Sequence, residues 1–178
     1  MNEVIQSYYG NRQTALEFVV GYDCVAGTGH AECFNTLLDA GAAAQIQNHS
    51  GGQTPLFAAA WHVTPTMIQA LVSAGAYVDF HGNFKTPLLW AAVQDKSANI
   101  QALISAGADV MARDNHSRIA LHLAALSGVA RNIKILLEAG AGVNAQTGGG
   151  CTPLMLSNAA GTPIEPLTAV GADVEPRY

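Results

Sequence analysis

Charge is the scarcest ingredient of this chain. Only 12% of its 178 residues are Asp, Glu, Lys or Arg, against a usual share of about 25%. Disordered chains are rich in charge and poor in apolar residues; with 49% hydrophobic residues this one is neither. Its eight Lys and Arg residues form no run and the net charge is -5. The basic stripe that nucleic acid requires is therefore missing, and no nucleic-acid partner is expected. Cysteine is also scarce. Cys24, Cys33 and Cys151 are odd in number and fit neither a zinc knuckle nor a CxxC redox motif, which favours a reducing compartment. No run of about 18 apolar residues occurs, so no membrane insertion is expected. Met1 to Gly10 holds no cationic segment followed by an apolar core, the mark of a signal peptide. The expectation is a soluble cytoplasmic protein, although a leaderless secretion route would leave no such mark.

What the sequence does hold is repetition. Thr54-Pro55-Leu56, Thr86-Pro87-Leu88, Ile119-Ala120-Leu121 and Thr152-Pro153-Leu154 follow one another in steps of 32, 33 and 33 residues. A weaker copy, Thr14-Ala15-Leu16, precedes them. A Gly-Ala marker recurs in the same phase at Gly41, Gly75, Gly107, Gly140 and Gly171. A period near 33 means stacked supersecondary units. Within one unit, Leu121, Leu123, Ala124 and Ala125 predict a short apolar helix whose small residues admit close neighbours. Ser127-Gly128 breaks it. Ile133, Leu136 and Leu137 then recur at helical spacing, with Lys134 and Glu138 four apart. Gly140 ends the second helix. In the other units Thr can cap the first helix and Pro can occupy its first position. Val143 to Cys151 is polar and glycine-rich, and reads as a projecting hairpin finger.

This pattern resembles the ankyrin repeat family over roughly residues 11 to 174. The strongest matches are Ile119-Ala-Leu-His-Leu-Ala-Ala125 with Ile133 to Ala141, and Thr86-Pro-Leu-Leu-Trp-Ala-Ala92 with Leu103 to Val110. The resemblance implies an all-α solenoid of stacked helix-turn-helix units with projecting β-hairpin or turn fingers. One domain of about five repeats is expected: 11–51, 52–83, 84–116, 117–149 and 150–178. The chain departs from the family pattern in three places. Tyr22 to Thr28 is an insertion. The last unit is two residues short and carries Pro163 and Pro166, so its second helix should be short. Only His122 keeps the family's Thr-Pro-Leu-His histidine, so polar ties between neighbouring loops should be fewer.

No motif predicts catalysis. The six histidines include no i, i+4 pair of the kind that holds a metal on a helix, and no cofactor is expected. His122 is read as structural; His49, His81 and His116 fall in fingers. Cys24 and His30 share the insertion with Asp23, and a thiol-imidazole enzyme there is a remote alternative. A nucleophile needs a base in reach and a shielding pocket, which a surface insertion rarely supplies. Gly27-Thr28-Gly29 lacks the strand and the Lys-Ser/Thr of a phosphate loop. Gly148-Gly149-Gly150 reads as a turn. Cys33 is placed in the core and Cys151 at a finger base, partly exposed. Asn144 is either a turn former or, as in some family members, a hydroxylation site.

The resemblance also implies where a partner binds: the concave face, built of finger tips and the exposed ends of first helices. Those positions include Trp61 and His62, Phe80, His81, Phe84 and Lys85, Gln94, His116 and Arg118, and Leu126. Exposed aromatics of this kind mark interfaces, and an aromatic patch on Trp61 and Phe84, rimmed by Lys85, His116 and Arg118, is expected. Packing of Trp61, Phe80 and Phe84 within and between fingers is the alternative. Trp90 is placed in the inter-repeat core. The expected function is that of a non-catalytic module (adaptor, effector or inhibitor) binding a protein of unknown identity. The alternative is a structural or self-associating segment of a larger array. A homodimer through the C-terminal repeat would fit that repeat's thin polar cap, whereas the Met1-Asn2 start and early repeat phase favour a complete small protein.

Overall fold

The computed structural model describes residues 4–6, 12–14, 29–45, 54–62, 65–82, 85–162 and 165–172. A short antiparallel ribbon comes first, with β1 (Val4–Gln6) paired to β2 (Arg12–Thr14) and Val4 opposite Thr14. Thr14, which begins the weak Thr-Ala-Leu copy, thus ends a strand. Ala15 to Thr28, including the insertion at Tyr22 and Cys24, lies outside the described residues. Nine helices follow among the described residues: α1 (Gly29–Asp39), α2 (Pro55–His62), α3 (Pro65–Ser73), α4 (Pro87–Val93), α5 (Ser97–Ser105), α6 (Ala120–Ser127), α7 (Ala130–Glu138), α8 (Pro153–Ala160) and α9 (Glu165–Thr168). As the two missing residues imply, α9 is a single turn.

The recurring residues build each unit in the same way. Thr86 and Thr152 sit in extended backbone ahead of α4 and α8, and their hydroxyls accept from the amides of Leu89 and Met155 at 3.4 Å. Pro87 and Pro153 occupy the first helical position, where no amide hydrogen is needed. Each Gly-Ala marker ends a second helix. Gly107 and Gly140 take φ of +91° and +89°, a region costly for any side chain with a Cβ. The next amides, Ala108 and Ala141, then bond back to the carbonyls of Leu103 and Leu136 at 3.0 and 2.9 Å. This is the 6→1 closure of a Schellman motif.

The helices form two layers. First helices α2, α4, α6 and α8 pack side by side in one, and second helices α1, α3, α5, α7 and α9 in the other. Ala59, Ala60, Ala91, Ala92, Ala124 and Ala125 are fully buried, which lets the first helices approach closely. Leu56, Leu88, Leu121 and Leu154 join Ile68, Ile100, Ile133 and Leu167 to run one core along the stack. Cys33 is exposed, against expectation. Phe34 takes the core-facing position beside it, and one residue of helix turns a side chain about 100° away.

Polar ties between units do exist, and most are carried by residues other than histidine. Asn99 Nδ2 donates to the carbonyls of Ala59 and Ala60 at 3.2 and 3.1 Å. Asn132 Nδ2 donates to Gln94 O at 2.6 Å, and Thr162 Oγ1 to Ala125 O at 2.8 Å. Each satisfies carbonyls at the end of the preceding first helix, which has no intrahelical partner for them. Between fingers, Asp79 accepts from the Asp109 amide, and Arg113 bridges the carbonyls of Ser117 and Gln146.

Candidate partner-binding face

Trp61 lies in the last turn of α2 and is 37% exposed. Its ring meets Trp90 of α4 edge to face, with centroids 4.9 Å apart and planes at 79°. Trp90 is half-buried, so its expected place in the core is corrected. The equivalent positions of α2 and α6 hold Ala58 and Leu123, and an indole is too large for that slot, so it extends onto the surface beside Trp61. Its Nε1 is buried and has no hydrogen-bond partner among the described residues.

Lys85 completes the group, with Nζ 4.7 Å from the Trp90 ring centroid. A cation over an indole face is favoured by the ring quadrupole, by about 0.5–1 kcal/mol at exposed sites. The lysine is held there by its backbone, since Gly82 and Lys85 exchange both amide-carbonyl bonds at 3.1 and 3.0 Å. That closes the finger tip. Phe84 within the tip lies outside the described residues, as does the side chain of His62 at the end of α2.

The remaining expected positions divide. His81 and His116 are exposed. Phe80 is half-buried and turned toward the neighbouring finger, where it lines a gap of about 70 Å³ with Ala44, Gln45, Thr54 and Tyr77. This placement agrees with the alternative of packing between fingers. Leu126 is half-buried against the core. Gln94 caps the C-terminus of α4 and its carbonyl is taken by Asn132.

Arg118 is held by its own finger. Its Nε and Nη2 both lie 2.8 Å from Asp114 Oδ2. Asp114 Oδ1 accepts from the amides of His116 and Arg118 at 2.9 Å. Burial works to raise the Asp114 pKa. The hydrogen bonds from the Arg118 side chain and from the two amides outweigh it and hold the carboxyl below its ordinary value. In the next finger Thr147 Oγ1 does the same work, accepting from the amides of Gly149 and Cys151.

His122 is fully buried, as its structural reading requires. Its Nδ1 accepts from the Ile119 amide at 3.2 Å, and Nε2 lies 3.1 Å from Cys151 O. Only a neutral ring protonated at Nε2 satisfies both. Burial lowers its pKa and outweighs the opposing pull of the Cys151 carbonyl. Ile119, which stands where the other units have a capping threonine, offers no side-chain acceptor. His122 instead satisfies the Ile119 amide from three residues on.

Among the described residues no three His, Cys, Asp or Glu side chains cluster as metal ligands, and no helix is long and apolar enough to cross a membrane. Two layers of short helices with fingers along one edge define a repeat scaffold that presents a surface. A family model of three ankyrin repeats matches residues 22–114, and a single-repeat model matches residues 116–148. The chain belongs to the ankyrin repeat family. Ankyrin repeats are generally protein-protein interaction modules. The curated proteins include no match to the chain.

Proposed function

We propose that this chain is a non-catalytic module that binds a protein partner through its concave face and finger loops, acting as an adaptor, effector or inhibitor. The observation that supports this reading is the group of Trp61, Trp90 and Lys85. Two tryptophans reach the surface of adjacent first helices, and a finger lysine is poised over one of them. Tryptophan is the residue most enriched at interface hot spots. A buried indole N–H with no acceptor among the described residues calls for an explanation, since leaving such a donor unpaired costs about 1–3 kcal/mol. A rigid array loses little backbone order on binding, which favours affinity.

Wild type and a folded Trp61→Ala, Lys85→Glu variant are compared by affinity capture from native lysate, followed by mass spectrometry. One protein should enrich with wild type and be lost with the variant. Equal enrichment with both would move the site off this face.

A further inference from the structure

Second helices are covered in sequence, α3 by α5 and α5 by α7. The cover over α7 is α9, with four residues against nine. The shortfall leaves an open groove of about 770 Å³ between them, with Leu137, Pro166, Ala169 and Val170 among its apolar lining. Val170 is 51% exposed. A repeat unit cannot bury its apolar face without a neighbour, and among the described residues the covering helix is a single turn.

The charges on the groove say what fits it. On the α7 wall Arg131 lies in the first turn, Lys134 at the middle and Glu138 at the C-terminal end, while Glu165 lines the groove from α9. Lys134 and Glu138 are well exposed and only 3.9 Å apart as an i, i+4 pair. A wall that runs from positive to negative is complementary to itself when turned end for end. Two-fold symmetry supplies that reversal, pairing residue i with j and j with i. We propose that the groove is a self-association site. A second copy of this chain docks with its α7 antiparallel to the first, Lys134 of each copy facing Glu138 of the other, and Val170 of both is covered. This surface lies on the second-helix layer, and the proposal stands independently of the concave-face reading.

Sedimentation equilibrium of the full chain over a wide concentration range tests it, with circular dichroism to confirm that every variant is folded. Wild type should show a reversible monomer-dimer equilibrium. Lys134→Glu and Glu138→Lys should each raise the dimer dissociation constant roughly tenfold, because symmetry makes every reversal repulsive twice. An equimolar mixture of the two variants should recover the dimer, since positions 134 and 138 are then both negative in one copy and both positive in the other. A wild type that stays monomeric throughout would overturn the proposal and leave the groove to a different protein. So would a dimer indifferent to both reversals, or a mixture that fails to recover it.

Discussion

Ser117 takes the left-handed backbone at φ +59° and is the non-glycine residue with positive φ among the described residues. It lies in the turn that Asp114 closes, where its amide bonds to Asp114 O at 2.9 Å. The conformation strains any residue with a Cβ. Ser117→Gly should therefore raise unfolding stability by about 0.5–1 kcal/mol, even after the added freedom of the unfolded chain is deducted. Urea denaturation reads this directly. His122 makes a second prediction. Its folded pKa lies below the unfolded value of 6.5, so the unfolded chain binds the extra proton as pH falls. Its contribution is complete above pH 6.5 and declines as pH drops through that value toward the folded pKa. The denaturation midpoint should fall between pH 7.5 and 5.5, and less so in His122→Gln. Asp114 does not confuse this window. Its contribution is complete above 3.8 and is lost only as pH falls through a folded pKa lower still. The His122 role was legible in the sequence because a residue type recurs there across the family. The Ser117 strain was not, since serine carries no signature for a positive φ.

At the scale of helices, the caps and stops were legible because each rests on a local rule: Thr before Pro at a helix start, Gly before Ala at a helix end. The ties between helices were not. Asn99 and Asn132 look like ordinary polar residues in sequence, and only the stacking of second helices shows that they reach the carbonyls of the preceding unit. Asn99→Ala would leave the carbonyls of Ala59 and Ala60 without this donor, in a setting where Asn99 is buried. A loss of about 1–3 kcal/mol is expected, measured by the shift in urea midpoint at constant slope. Trp90 shows the same limit from another side. Its helix and register were clear from the repeat, but whether an indole fits its slot depends on the volume left by neighbours, which periodicity does not report. For Phe80 the sequence left two readings open, because the gap between fingers that receives it exists only after they stack.

Across the whole molecule, the solenoid was legible from its period and its class of function from the family pattern, while the face a partner uses depends on which side chains meet in space. Trp61 and Lys85 were anticipated; Trp90, which joins them, was not. Contacts in a solenoid run between neighbours, so stability is close to a sum of units and interfaces. The unit of α8 and α9 shares an interface with the unit before it, and its second helix is one turn. Amides of α8 should exchange with deuterium before those of α6, as read by native-state hydrogen exchange. Raising the protein concentration should slow that exchange if copies associate at this end.

The ties that close the first-helix ends share one direction, unlike those of Arg113 and His122, which donate to the following unit. In each, the later segment carries the donor and the earlier helix end the acceptor: Asn99 to Ala59 and Ala60, Asn132 to Gln94, Thr162 to Ala125. A chain is also made in that direction, N-terminal residues first. While a unit waits for its successor, its open carbonyls remain hydrated at the growing edge. The donor that will meet them arrives with the next unit and finds its acceptor already in place. Growth during translation thus proceeds like laying courses of brick, and no asparagine has to be sealed inside before its mate exists.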